Sequence, residues 1–185
     1  MPLNDLRRTI AGAADLSLLA RLFRTAPDRK DALRPLWHRT VELARAREYY
    51  ADCGVADSVE GRFDMICAVL ALVLVRMERV PELVEPSVRL TELFVDDMDG
   101  QLREFGIGDM VVGKHVGRLM ASLGGRLGAY RDGLAGDDPA LAAAADRNIR
   151  FGDDGDPHCI ARHLRALAAR LDATPDDALL QGEIA

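Results

Sequence analysis

Hydrophobic residues recur at three- and four-residue steps along almost the whole chain, the spacing that places them on one face of an α-helix. This pattern predicts about seven helices, and no stretch shows the strict alternation of a convincing strand. The first two predicted helices carry the apolar positions Leu16, Leu19 and Phe23, and then Leu36, Trp37, Val41 and Ala44.

The third predicted helix, about Asp57 to Arg79, is the most apolar and should lie at the centre of the fold. Asp57 with Glu60 three residues later is an acidic variant of a capping box, so we expect Asp57 to cap this helix. Its uncharged run from Met65 to Val75 is too short to cross a membrane, which takes roughly 20 apolar residues.

Two longer helices follow, and their charges are opposite. Residues 87–105 hold five acidic and two basic side chains, whereas residues 110–134 hold four basic and one acidic. We therefore expect these two helices to pack side by side, although exposed ion pairs contribute only about 0–1 kcal/mol each. The apolar stripe of the fourth is Leu90, Leu93, Phe94, Met98, Leu102 and Phe105, and that of the fifth is Val112, Val116, Leu119, Met120, Leu123, Leu127, Tyr130 and Leu134.

A short Ala-rich helix from Ala140 to Ile149, an acidic loop "GDDGDP" and a last helix with Ile160, Leu164, Leu167 and Leu171 complete the chain. The sequence predicts an all-α, single-domain bundle around the central helix at about residues 57–79. We expect residues 1–30 to form a basic N-terminal helical arm, residues 31–150 the main helical domain, and residues 151–185 an acidic loop, helix and tail packed on the same domain.

Composition narrows the function classes. The 185 residues are 49% hydrophobic, 29% charged and only 5% aromatic, which suits one globular domain with an aliphatic core. A net charge of −6 argues against DNA, because binding to phosphates requires a basic face. Residues 1–30 are locally basic, with six Lys or Arg against three Asp. This arm either contacts an anionic membrane surface or the ribosome, or docks as a helix with a solvated face.

The stretch "GDMVVGKH", Gly108 to His115, resembles a phosphate-binding P-loop, but His115 stands where Ser or Thr binds magnesium. A P-loop also follows a buried strand, whereas an amphipathic helix precedes Gly106 here. We therefore expect no nucleotide site. Gly106 should end the fourth helix, Asp109 should cap the fifth, and Lys114 should lie inside it.

Four glycines, Gly117, Gly124, Gly125 and Gly128, lie within the fifth predicted helix. Each costs about 1 kcal/mol relative to Ala, so a packing or functional gain must offset them. Small residues at this spacing allow a neighbouring backbone to approach closely. Either the glycines pack against another helix of this domain, or they form a groove for an apolar helix of another protein.

The three cysteines, Cys53, Cys67 and Cys159, lie far apart, and no Cys-x-x-Cys pair exists. We therefore expect reduced thiols. Cys159 and His163 lie at i and i+4 on one helix face, a spacing compatible with two metal ligands. Because two further ligands are not evident, the sequence predicts no metal site, and "GDDGDP" lacks the ligand pattern of a calcium loop.

Two stretches carry a family resemblance: "YYADCGVADSVEGRFDMI" (residues 49–66, the first block) and "LFVDDMDGQLREFGIGDMVVGKHVGRLMASLGGRLGAY" (residues 93–130, the second block). They resemble the most characteristic segments of the ubiquinol-cytochrome c chaperone family. The resemblance covers roughly Leu33 to Ile149. It implies an assembly factor for ubiquinol-cytochrome c reductase, a family whose mitochondrial members bind newly made cytochrome b.

The family pattern maps onto Tyr49, Tyr50, Gly54, Val55, Asp57, Gly61, Arg62, Phe63, Leu102, Arg103, Glu104, Gly106, Gly108, Asp109, Val112, Gly113 and Lys114. Two positions depart from it: Val69 stands where the resemblance implies a His, and Ala56 where it implies a Pro. Any role of that His, including a haem-related one, therefore does not carry over to this chain.

Arg62 and Asp64 have two interpretations. Asp64 favours the positive end of the third helix, and Arg62 pairs with Glu104 or Asp109 to hold the two blocks together. Alternatively, Arg62 contacts a client protein. Gly124 and Gly128 join these residues as candidate client-binding positions.

No catalytic constellation is visible among the four scattered histidines and the many carboxylates. We therefore expect a non-enzymatic chaperone without a cofactor, whose partner is cytochrome b or another subunit of ubiquinol-cytochrome c reductase. The alternative is a helical carrier for haem or a lipid-like molecule, with its pocket under the fifth helix. The expected location is the cytoplasm of a bacterium, peripherally at the inner membrane, or the mitochondrion in a eukaryote.

Overall fold

The computed structural model describes residues 31–104 and 112–184, with side chains for residues 31–100 and 119–184. These ranges contain six helices of eleven residues or more and two of five residues, together with one isolated β-bridge between Val55 and Phe151. The all-α prediction is confirmed. The helices are α1 (Arg34–Ala44), α2 (Arg47–Ala51), α3 (Val59–Met77), α4 (Val84–Glu104), α5 (Val112–Ala135), α6 (Asp138–Asn148), α7 (Pro157–Ala173) and α8 (Asp176–Leu180).

Helix α3 is the centre of the bundle, as its apolar sequence predicts. Every residue from Asp64 to Val75 is buried, and the helix contacts α1, α4, α5, α6 and α7. A helix that is apolar on all sides can be stable in water only when other elements cover all of it. No helix among the described residues is both long enough and apolar enough to cross a membrane.

The start of α3 differs from the prediction. Ser58, not Asp57, is the N-cap, and its hydroxyl accepts a hydrogen bond from the Gly61 amide at 3.1 Å. Both side chains are good caps, but the extended backbone at Ser58 places its hydroxyl over the first turn. Asp57 is thereby left to pair with Arg62.

Helices α4 and α5 lie in contact, as their opposite charges suggest. The described ion pairs of α5, however, reach helix α3 and its C-terminal end: Arg126 pairs with Asp64 and Arg131 with Glu78. Helix α4 begins at Val84, three residues before the predicted start, because Pro86 is tolerated in the first turn. Met120 was predicted to lie in the apolar core stripe, but it is 42% exposed.

The C-terminal segment closes on the same core. Helix α7 packs against α6 and α3, and the predicted stripe residues Ile160, Leu164, Leu167 and Leu171 are all fully buried. The short helices α2 and α8 were not predicted, since five residues carry too little periodicity. Arg76 of α3 ties α8 to the bundle by donating to the Leu171 and Thr174 carbonyls and to Asp176.

The glycines of α5 differ in their surroundings. A Cβ atom added at Gly124, Gly125 or Gly128 would have no atom of another described element within 4 Å, so packing among the described helices does not explain these three. Gly133, one or two turns further on, does provide such packing, since a Cβ there would lie 3.0 Å from the Leu141 Cα of helix α6.

This contrast gives a stability prediction. Gly125→Ala should raise the free energy of unfolding by about 1 kcal/mol, because it removes the entropic cost of glycine without a clash. Gly133→Ala should lower it by about 1–3 kcal/mol, because the new methyl group meets backbone. Urea denaturation followed by far-UV circular dichroism measures both, and destabilisation by Gly125→Ala would contradict the open environment of that position.

Candidate functional site

The two family-like blocks lie side by side in the structure. The first block, residues 49–66, comprises α2, the loop after it and the first turns of α3. The second block, residues 93–130, comprises the second half of α4 and most of α5, with residues 105–111 between them outside the described ranges. Because α3 contacts α5, the two blocks form one continuous region.

A tight loop at residues 52–56 fastens the first block to the segment before α7. Gly54 has φ +69°, and a Cβ there would lie 2.6 Å from the Asp154 carbonyl oxygen, so only glycine fits. The Gly152 amide donates to the Gly54 carbonyl at 2.9 Å, and the Asp156 amide donates to the Cys53 carbonyl at 2.9 Å. The acidic loop "GDDGDP" was expected to be only a solvated connection, but it holds the first block in place.

A disulfide joins Cys53 in this loop to Cys159 in the first turn of α7, with the two Cα atoms 5.4 Å apart. The expectation that all three thiols are reduced is therefore wrong for this pair. The two cysteines are 106 residues apart in the chain, and only the folded loop brings them together. Cys67 is free and buried in α3, and burial raises the pKa of its thiol to about 12.

Tyr49 and Tyr50 of helix α2 face different surroundings. Tyr49 is buried against the edge of the His163 ring, with the ring centroids 5.7 Å apart, and burial raises the pKa of its hydroxyl to about 12. Tyr50 is half-buried and donates its hydroxyl to the Ala44 carbonyl at 2.9 Å. Tyr49 is therefore a core residue, whereas Tyr50 reaches the surface.

An electropositive recess of about 430 Å³ lies beside Tyr50. Arg45, Arg47 and Arg62 line it together with a single carboxylate, that of Asp57. Arg62 donates to Asp57 at 2.6 Å, and this hydrogen bond holds the pKa of the Asp57 carboxyl below its usual range. Both side chains of this pair are more than half exposed, so it contributes little to stability.

The bridging role of Arg62 between the two blocks stays a prediction. Among the side chains that the structure describes, its carboxylate partner is Asp57 within the first block. Asp109 lies outside the described residues, and so does the side chain of Glu104. The short separation of Asp57 and Arg62 in the chain makes their pairing local.

Asp64 links the two blocks directly. The prediction placed it at the positive end of the third helix, but it is the sixth residue of α3 and only 2% exposed. Its carboxylate accepts from Arg126 of the second block at 2.6 Å and from the Arg150 amide at 3.2 Å. Burial raises the pKa of the Asp64 carboxyl, while the guanidinium groups of Arg126 and Arg150 oppose that shift.

Aromatic packing completes the contact between the blocks. The Arg126 guanidinium lies over the Phe63 ring, 5.7 Å from its centroid, and Phe63 in turn contacts Phe94 of α4. Arg126 also donates to Ser122 one turn earlier. The Arg126 Nε atom and the Tyr130 hydroxyl are buried and have no hydrogen-bond partner among the described residues. Buried polar groups without a hydrogen-bond partner lower the free energy of unfolding, so this contact between the blocks includes a destabilising contribution.

Glycine also shapes the start of α3. A Cβ at Gly61 would overlap the Ala56 carbonyl oxygen, so the loop can fold back onto the first turn of the helix only because this residue has no side chain. Val69, in the position where a His was implied, is fully buried in the core.

The remaining candidate residues of the second block lie at the junction of α4 and α5. Arg103 and Glu104 form the last turn of α4, and Gly113 and Lys114 lie in the first turn of α5, as predicted for Lys114. Gly106, Gly108 and Asp109, with their predicted capping roles, lie outside the described residues. The element before "GDMVVGKH" is helix α4 and not the strand that precedes a P-loop.

The outward face of α5 between residues 120 and 128 carries small or apolar residues. Ala121, Gly124 and Gly125 are exposed, Gly128 is half-exposed, and Met120 stands beside them. Leu119 and Leu127, on the inward side, pack against the core. In this stretch the helix therefore buries its leucines and presents Gly124 and Gly125 to solvent.

The two blocks thus define a helical protein with an exposed helix face rich in glycine and a separate basic recess. The model of the ubiquinol-cytochrome c chaperone family matches residues 51–185, which is most of the chain and extends to the C-terminal helices. The chain therefore belongs to the ubiquinol-cytochrome c chaperone family.

A solved structure supports this assignment. The crystal structure of the Cbp3 homolog from Brucella abortus is 33% identical, with a TM-score of 0.75 over 90% of this chain and 95% of that one. A comparison with curated proteins gave no significant match. The family and this structure support the general role of an assembly chaperone for ubiquinol-cytochrome c reductase, and a chaperone family implies a non-enzymatic role.

Sequence reasoning missed several residues of this region. Arg126 was counted only as a surface charge, and Arg45, Arg47 and Arg150 were not singled out at all. The Cys53–Cys159 pair was missed as well. The available signal was Asp64, a carboxylate directly before the uncharged run from Met65 to Val75, because a buried carboxylate needs a cationic partner.

Removing the Asp64 carboxylate should destabilise the protein strongly. Asp64→Ala leaves Arg126 and the Arg150 amide facing a buried site without their acceptor, so we expect the free energy of unfolding to fall by about 3–5 kcal/mol. Asp57→Ala is the matched control, since its exposed pair should leave the urea midpoint almost unchanged. Equal effects of the two substitutions would contradict a bridging role for Asp64.

Proposed function

We propose that this protein binds immature cytochrome b and holds it until ubiquinol-cytochrome c reductase assembles. The observation that carries the proposal is the outward face of α5, where Gly124, Gly125 and Gly128 have open space beside them. Internal packing does not use these glycines, yet each costs about 1 kcal/mol in a helix. A partner that approaches this face closely would offset that cost.

The chemistry of this face favours an apolar helix as the partner. Glycine and alanine at three- and four-residue spacing allow two helix backbones to come close enough for extensive van der Waals contact. The membrane-spanning helices of an unassembled subunit are apolar in this way. In water their exposed apolar surface would lead to aggregation. Cytochrome b is the membrane subunit that the family resemblance implies.

The basic recess at Tyr50 provides a second, polar contact surface. Arg45 and Arg47 have no carboxylate partner among the described residues, so their charges are available to a ligand. Arg62 is held in place by Asp57 and points its guanidinium at the same recess. An acidic group on the client at the edge of its apolar segment would satisfy these charges.

We further propose that the protein works at the cytoplasmic surface of the inner membrane, where cytochrome b is inserted. The basic segment 1–30 would be attracted to anionic lipid or to the ribosome, each Lys or Arg near an anionic surface contributing about 1 kcal/mol. Contact with the membrane would bring α5 close to a newly inserted client.

The carrier alternative has less support. Two recesses lined by described residues, one beside Tyr50 and one of about 680 Å³ between α1 and α4, are open and bordered by charged side chains. A pocket for haem or a lipid is mainly apolar and encloses most of its ligand. Family membership also favours a protein client over a small molecule.

Bulky substitutions on the open face of α5 should separate folding from client binding. Gly124→Leu and Gly128→Leu should keep the protein folded, because nothing lies within 4 Å of either position, and should reduce captured cytochrome b at least tenfold. The tagged protein replaces the endogenous copy, is recovered from membranes in mild detergent, and bound cytochrome b is quantified by mass spectrometry.

Gly100→Leu is the matched control, since Gly100 is an exposed glycine of helix α4 that also has open space around it. The wild-type protein should capture cytochrome b without the other subunits of the mature complex. No enrichment over an untagged strain, with the protein folded and expressed, would refute cytochrome b as the client. Full binding by both Leu variants would refute α5 as the contact surface.

Arg62→Ala tests the basic recess in the same experiment. Because the Arg62–Asp57 pair is exposed, the variant should unfold at the same urea concentration as the wild type. We expect captured cytochrome b to fall severalfold, as it should for Arg47→Ala, which lines the same recess. Arg79→Ala, which removes an exposed pair with Asp172 elsewhere, should leave capture unchanged. Loss of folding in Arg62→Ala would instead assign this residue to the scaffold.

A further inference from the structure

We propose that Cys53, Cys159 and His163 bind a thiophilic divalent cation such as Zn²⁺ once the disulfide between the two cysteines is reduced. The two sulfur atoms and a ring nitrogen of His163 all lie within 4.8 Å of one another. The sequence offered only Cys159 and His163 on one face of α7, and the folded loop supplies Cys53 as the third ligand. This site is independent of the proposed client.

The spacing suits a tetrahedral centre. Zinc bonds of about 2.3 Å to sulfur and about 2.0 Å to nitrogen place neighbouring ligand atoms about 3.5–3.8 Å apart. Opening the disulfide allows the two thiolates to separate by side-chain rotation from Cα atoms that are 5.4 Å apart. His163 lies one helical turn after Cys159, so both metal ligands that α7 supplies are on the same face of this helix.

Backbone contacts hold these ligands together without the disulfide. The Asp156 amide donates to the Cys53 carbonyl at 2.9 Å, and the Gly152 amide donates to the Gly54 carbonyl at 2.9 Å. Gly54, whose φ is +69°, fixes the turn next to Cys53. Reduction therefore frees the sulfur atoms but leaves the loop positioned against α7.

The surroundings also suit a metal centre. Cys53 is fully buried and Cys159 almost so, which protects thiolate ligands from oxidants, while His163 is half-buried at the edge of the site. Tyr49 packs edge-on against the imidazole at an angle of 90° and restricts its orientation. Two thiolates and one imidazole favour Zn²⁺, and three protein ligands leave its fourth position for water.

Both steps balance. A dithiol reductant supplies two electrons and two protons to the Cys53–Cys159 disulfide and becomes a disulfide itself. The cation then binds two thiolates and the neutral imidazole, and the two thiol protons leave to solvent. Either bond, disulfide or metal, fastens the first block to α7 at the same point.

Cobalt substitution tests this site directly. The intact protein is reduced with a dithiol, freed of reductant under anaerobic conditions and titrated with Co²⁺. We expect a thiolate-to-cobalt charge-transfer band that saturates at one equivalent and is abolished by Zn²⁺. The oxidised protein should show no band, and Cys67 should not contribute, since it lies buried in α3 with its thiol protonated.

Variants assign the ligands. Cys159→Ser should abolish the band, and His163→Ala should weaken Co²⁺ binding at least tenfold. His158→Ala is the matched control, because His158 lies exposed on the same helix and should leave binding unchanged. Absence of a saturable band in the reduced wild type, or wild-type affinity in His163→Ala, would overturn the proposal.

A measurement on the wild-type protein tests the site without depending on whether the variants fold. One equivalent of Zn²⁺ should slow alkylation of Cys53 and Cys159 in the reduced protein at least tenfold, as followed by peptide mass spectrometry. Unchanged alkylation rates would overturn the site. Neither experiment involves cytochrome b, so failure of this proposal and failure of the proposed function are distinguishable.

Discussion

The buried carboxylate of Asp64 is the interaction on which the arrangement of the two family blocks depends. It lies inside the bundle on the most apolar helix, and its partners come from two other segments, Arg126 of α5 and the backbone amide of Arg150. A charge taken out of water is tolerated only when its partners are correctly placed, so the pairing selects one register of α5 on α3. The Phe63 ring beneath Arg126 reinforces that register.

This register decides which side of α5 faces solvent. With Arg126 and Tyr130 turned inward, Gly124 and Gly128 are left on or near the surface, where they contact no other described helix. Arg62 pairs with the exposed Asp57 among the described side chains, so its guanidinium lies at the surface recess. The internal contact of Asp64 and the exposed side chain of Arg62 thus come from neighbouring residues of the first block.

The loop at residues 52–56 connects the first block to the C-terminal half of the protein. Its backbone hydrogen bonds to residues 150–156 and the Cys53–Cys159 link make α7 part of the same structural unit as the first block. This explains why the family match extends through the C-terminal helices, beyond the two blocks that carry the resemblance. It also places His163 next to both sulfur atoms.

The sequence by itself determined the helical class, the central position of α3 and the bounds of the long helices to within a few residues, because apolar periodicity reports which face of a helix is buried. It also determined the family, because the motifs are contiguous. Only the tertiary structure decided the partners of Asp64 and Arg62, the pairing of Cys53 with Cys159 and the open side of α5. These depend on contacts between residues up to 106 positions apart, and spacing along one helix carries no information about which distant side chain will face it.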